Sequence, residues 1–125
     1  MDRQYVGIDF HRRRSVIVRL GSDGERLGLY RIVNDPFELS AVMAQCGESP
    51  QVVIEATYGC YWAVQLLQDL GATVHLANPK ALNWGDRRVK NDVNDATDLG
   101  DMLRLNRLAE PGVRCVQRAE LRTWL

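Results

Sequence analysis

With 125 residues the chain is long enough for one domain with its own core and too short for two comfortable ones. Its 46% apolar and 26% charged content is that of an ordinary globular protein and argues against wholesale disorder. No apolar run nears the roughly 20 residues of a membrane span. Met1-Asp2-Arg3-Gln4 leads into a strand-like segment rather than a signal peptide, so the chain is expected in the cytoplasm with no membrane partner.

Cys46, Cys60 and Cys115 form no CxxC pair, which argues against zinc and for reduced, structural thiols. The net charge of zero counts against a domain that grips nucleic acid alone, since such domains are usually basic. Positive charge is nevertheless gathered in Arg12-Arg13-Arg14 and in Arg87-Arg88 with Lys90.

Residues 4–10 read as a strand and residues 15–20 as a second, joined by a tight turn at His11 to Arg14. Gly21-Ser22-Asp23-Gly24 is a turn signal, and a third strand spans roughly 25–33. Three strands with short connections predict an antiparallel meander. A helix follows, capped by Asn34 or Asp35 with Pro36 in its first turn, running to about Gln45 and stopping near Gly47.

Gln51 to Ala56 reads as a short buried strand. Thr57 to Leu70 reads as a helix, with Trp62, Leu66, Leu67 and Leu70 at helical spacing and Gly71 as its C-terminal stop. Thr73 to Ala77 is another strand, and Asn78-Pro79 starts a turn or short helix. Residues 80–91 carry no clear pattern. A long helix opens at Asn91-Asp92 and runs to about Leu108, and Pro111-Gly112 ends that region. Arg118 to Leu125 begins another helix, whose Leu121, Trp124 and Leu125 have nothing after them to pack against; this is the pattern of a truncated chain prone to self-association. The expected fold is an α/β mixed sheet of five strands, a three-strand meander followed by βαβ units, with helices on both faces.

Four carboxylates stand out. By alternation Asp9 shares a strand face with Tyr5 and Gly7, opposite Val6, Ile8 and Phe10. Glu55 follows the apolar run Val52-Val53-Ile54 in the same way. Ligand sites in open α/β sheets lie at the carboxyl ends of strands, so the two acids suit one site if their strands are neighbours; otherwise each merely ends a strand and faces water.

On the long helix, at about 100° per residue, Ala96, Leu99 and Leu103 fall within about 40° of Asp92 and Asp95 about 60° from it. Asp98 and Asp101 fall about 120° and 180° away. Asp92 and Asp95 therefore belong to the apolar face and the other two to solvent, although Asp92 also suits a simple cap or first-turn acid. Clustered carboxylates without a cysteine-histidine set suit Mg²⁺ or Mn²⁺ and phosphodiester chemistry.

Gly7-Ile8-Asp9-Phe10-His11, Ile54-Glu55-Ala56-Thr57-Tyr58-Gly59 and Lys90-Asn91-Asp92-Val93-Asn94-Asp95-Ala96 resemble, in order and spacing, the DEDD transposases of the insertion-sequence-110 family. The resemblance extends over Trp62, Leu66-Leu67 and Val74-His75-Leu76-Ala77-Asn78-Pro79. It implies an RNase H-like, RuvC-like domain over residues 1–112, with residues 113–125 beginning a helical linker. It makes Asp9, Glu55, Asp92 and Asp95 the catalytic, metal-binding tetrad, with Mg²⁺ or Mn²⁺ as cofactor. It places Lys90 near the scissile strand or a phosphate; the charge clusters beside the acids make Arg12, Arg13, Arg87 and Arg88 further candidate nucleic-acid contacts. It implies DNA cutting and rejoining, a structured guide RNA, and a homo-oligomer, dimer or tetramer, in the full-length protein.

In this family a C-terminal domain supplies a serine nucleophile. None of Ser15, Ser22, Ser40 or Ser49 lies in a matching motif, so the fragment alone is not expected to recombine DNA. Val93 and Asn94 depart from the more often charged residues between the last two acids. Two other readings compete. An actin-like or sugar-kinase-like ATPase needs glycine-rich phosphate turns where this chain has His11-Arg12-Arg13-Arg14. A non-catalytic RNase H-like module would serve nucleic-acid binding or assembly alone. His11 ranks below the acids, as a lone histidine that is more often structural or solvent-facing.

Overall fold

The computed structural model describes residues 3–55, 59–77, 92–105 and 113–115, the side chains of Asp92 and of residues 113–115 excepted. Strands β1 (Tyr5–Phe10), β2 (Arg14–Leu20) and β3 (Arg26–Val33) form the predicted meander. Helix α1 (Pro36–Met43), β4 (Gln51–Glu55), α2 (Tyr61–Asp69), β5 (Thr73–Ala77), α3 (Asp92–Arg104) and β6 (Val113–Cys115) follow. The sheet order is β3-β2-β1-β4-β5-β6. β1, β4 and β5 run parallel, while β2, β3 and β6 are antiparallel to their neighbours.

All five predicted strands are present, and β6 adds a sixth that pairs His75 with Cys115 across the ladder. Residues 113–115, read as the start of a linker, thus lie in the sheet. The segments read as a turn at Asn78-Pro79 and as a terminal helix from Arg118 fall outside the described residues.

Each face of the sheet has its own core. Val6, Ile8 and Phe10 point to one side with Val52, Ile54, Val74 and Leu76, against Leu39 and Val42 of α1 and Val64 and Leu67 of α2. The opposite face carries Val53, Ala77, Val16, Val18 and Leu20 under Ala96, Leu99 and Leu103 of α3. Helices on both faces explain why β4 reads as an unbroken apolar run rather than an alternation.

Asp35 is the N-cap of α1: its carboxylate accepts from the amide of Phe37 at 2.7 Å and of Glu38 at 3.4 Å, with Pro36 at the first helical position. Asn34, the other capping candidate, does different work. Its amide donates to the His11 carbonyl at 2.6 Å and its side-chain oxygen accepts from the Ser15 hydroxyl at 2.6 Å, which ties the start of α1 to the β1–β2 turn.

Helix α2 begins at Tyr61, later than the expected Thr57, because Gly59 sits at φ +85°, a conformation that cannot continue a right-handed helix. Its end carries the paired Schellman bonds, Ala72 N–H to Leu67 C=O and Gly71 N–H to Gln68 C=O. Cys46 and Cys60 are buried, and burial pushes the Cys46 thiol up to about 11, against the opposing pull of Arg19. No described helix is long and apolar enough to cross a membrane.

The approach of α3 to β1 positions everything that follows. A Cβ at Gly7 would run into the carbonyl of Ala96 and come within 2.8 Å of the Gly100 amide nitrogen. The helix backbone therefore rests directly on the strand, which only a residue without a side chain permits. At its C-terminal end, Arg104 lies against Gly24 in the β2–β3 turn and pairs with Asp101 at 3.1 Å. That turn is at the N-terminal end of β1, so the N-terminal turn of α3 extends the other way, toward the carboxyl ends of β1 and β4.

Candidate metal and nucleic-acid site

Asp9 is the fifth residue of β1 and 1% exposed. An ionised carboxylate at that depth requires a compensating partner, and His11 supplies one, its Nε2 lying 3.0 Å from Asp9 Oδ2. The His11 side chain is itself 54% exposed. The pair thus joins a buried acid to a solvent-facing ring at the mouth of the β1–β2 turn. That turn is held by the His11 amide donating to the Arg14 carbonyl and by Asn34.

β1 and β4 are neighbours, as one shared site requires. Their last aligned pair is Ile8 with Ile54, and Asp9 and Glu55 are the next residue on each strand. The two backbones are therefore separated by about one strand spacing, roughly 5 Å. Val53 faces α3, so alternation turns Glu55 to the same side as Asp9, and Glu55 is half-buried there.

Asp95 lies on the apolar face of α3, 8% exposed, beside the fully buried Ala96 that covers Gly7. Asp98 and Asp101 are half-buried rather than fully solvated. The reason for Asp101 is its ion pair with Arg104, which folds both side chains back along the helix. Thus Asp9, Glu55 and Asp95 occupy one face and one end of the sheet, with the positive end of the α3 dipole turned toward them.

Among the described residues no three His, Cys, Asp or Glu side chains gather closely enough to hold one metal ion. Asp92 begins α3, and its side chain falls outside the described residues, as do Arg87, Arg88 and Lys90 altogether. Arg12 and Arg13 are exposed in the turn directly after the Asp9 strand. The donor chemistry, oxygen only and partly desolvated, fits a hard divalent cation.

Two features escaped the sequence reading. The bond from His11 to Asp9 had a faint signal, since the residues are two apart, but β1 ends between them and alternation no longer predicts direction. The second is His75, buried on the α3 side of β5, with Nε2 2.8 Å from the Gln51 side-chain oxygen; burial lowers its pKa below the usual histidine value.

No curated protein matches the chain. A family model described as a transposase, that of the DEDD transposases of the insertion-sequence-110 family, matches residues 6–125, almost the whole length. The chain belongs to that family of transposases.

Proposed function

We propose that this domain carries out divalent-metal-dependent DNA strand cleavage and exchange during transposition of an insertion sequence, with Asp9, Glu55, Asp92 and Asp95 as metal ligands. The observation that carries the reading is the position of Asp9 and Glu55, each one residue beyond the last aligned pair of two adjacent parallel strands, on the face where α3 carries buried Asp95. Bound Mg²⁺ or Mn²⁺ would supply activation of an attacking oxygen and stabilisation of a leaving oxygen at phosphorus.

The chain's own residues do the rest. His11 holds the Asp9 carboxylate in one orientation through the 3.0 Å bond. Arg12 and Arg13 offer phosphate contacts beside it, and Arg87, Arg88 and Lys90, outside the described residues, are the further nucleic-acid contacts of this reading. The packing of α3 on Gly7 fixes the height of Asp95 above the strand ends. DNA is the substrate, and a structured guide RNA and a homo-oligomeric assembly are the partners this reading carries.

The second reading is a non-catalytic RNase H-like module for nucleic-acid binding or assembly. It is favoured by the lack of a three-ligand cluster among the described residues.

Thermal unfolding with Mn²⁺ or Mg²⁺ discriminates the two. A cation that binds only the folded state at about 100 times its Kd adds about 2.7 kcal/mol, and wild type is expected to melt several degrees higher. Asp95→Asn should keep the fold and lose that response, whereas Asp98→Asn should retain it. No rise in wild type at millimolar metal favours the non-catalytic module. Equal loss in both variants removes Asp95 from the site.

A further inference from the structure

A cavity of about 410 Å³ opens at the β1–β2 turn, beside the Asp9–His11 pair, and His11, Arg14, Val16 and Arg31 line it. Strand register explains why these residues meet. Asp9 is aligned with Val16 on β2, and Val16 with Arg31 on β3. The three form one row across the sheet on the α3 face, with the small, buried Val16 in the middle. Arg14 begins β2 opposite Val33, one row nearer the turn. Arg31 is therefore two strand spacings from Asp9, roughly 10 Å at the backbone, on the edge strand of the sheet.

Arg14 and Arg31 are exposed, and neither guanidinium has a hydrogen-bond or ion-pair partner among the described residues. Glu38 also lines the cavity but bridges to neither arginine. Two guanidiniums set against the single carboxylate of Glu38 leave the recess with net positive charge, which suits an anion. The planar fork of arginine matches the oxygens of a phosphodiester. His11, whose ring pairs with Asp9, lines the cavity at one side, and Arg31 and Val33 of the edge strand line it at the other.

We propose that this cavity holds the phosphodiester backbone of a nucleic-acid strand one or two nucleotides from the reacting phosphate, with Arg14 and Arg31 as its contacts. The inference rests on the reading of Asp9 and Glu55 as the reacting centre. The charge run Arg12-Arg13-Arg14 does not announce Arg31; the register brings Arg31 beside Arg14, 17 residues away in the chain but lining the same cavity.

The test is fluorescence anisotropy of the 125-residue chain with labelled 20-nucleotide single-stranded DNA and RNA of matched sequence, in EDTA, across a salt series. Arg14→Gln/Arg31→Gln is expected to weaken binding about tenfold and to flatten the dependence of log K on log salt by about 1.4, the value for two phosphate contacts on a single strand. Arg26→Gln, at the far end of β3, removes one charge outside the cavity and should change little. A loss seen with only one polymer identifies the strand that the cavity holds.

Wild-type affinity and salt slope in the double variant would overturn the proposal. So would a loss of the same size in Arg26→Gln, or no binding of either polymer by wild type. Because EDTA removes the metal, the outcome is separable from the metal reading. Strand binding that depends on both arginines, with no Mn²⁺ response, sinks the metal reading and with it the distance to a reacting phosphate, but leaves the two arginine contacts standing; a Mn²⁺ response without that dependence sinks only this proposal.

Discussion

Gly7→Ala is expected to lower the melting temperature by roughly 10 °C or more, corresponding to about 3 kcal/mol lost to overpacking. The added methyl would meet the carbonyl of Ala96 and the amide of Gly100, both backbone atoms of α3. No rotamer change relieves such a clash; the whole helix must lift from β1. Gly100→Ala is the informative comparison. Its Cβ would come 2.9 Å from Leu20 Cδ1, the tip of a side chain that can turn aside. Alanine also gains about 1 kcal/mol of helix propensity over glycine, so that variant should remain within about 1 kcal/mol of wild type. Equal melting of Gly7→Ala and wild type would show that α3 does not rest on the strand as described.

Leu99→Ala tests the same helix from the opposite direction, by opening a cavity rather than filling one. Leu99 is fully buried between Val53, Ala77 and Leu103, with Tyr5 packed against the group. Truncating a leucine in such a setting costs about 3 kcal/mol, the transfer of its methyls plus the void they leave. The expected drop is again roughly 10 °C by thermal melting. Leu99 holds α3 one turn beyond Asp95, so the loosened helix should also give a smaller melting rise with Mn²⁺ than wild type does. A loss under about 1 kcal/mol would mean that the site collapses around the missing atoms and that α3 is held chiefly elsewhere.

The residues that were readable in the sequence are those whose signal is local. Asp9 interrupts an apolar strand, Glu55 ends another, and both were visible without knowledge of their neighbours. The capping geometry of Asp35 and Pro36 follows from a few consecutive residues. The burial of Asp95 follows from helical periodicity, which depends on nothing outside α3.

What could not be read is non-local or very short. Arg31 meets the Asp9 row only through two successive strand registers, and no periodicity within β3 announces it. β6 has three residues, too few for an alternation to register, and its existence depends on the free edge of β5. The late start of α2 turns on one backbone angle at Gly59. Asp101 was assigned to solvent by its helical angle, but Arg104 holds it half-buried.

The central claim is that Asp9 belongs to a carboxylate metal site, and calorimetric titration of Mn²⁺ into wild type and Asp9→Asn tests it most directly. Asparagine keeps the size of the side chain and an oxygen facing His11 but removes the charge that a hard cation requires. The account predicts saturable binding in wild type that disappears in the variant, with the variant still folded by its melting curve. Equal Mn²⁺ binding in the two proteins would contradict it.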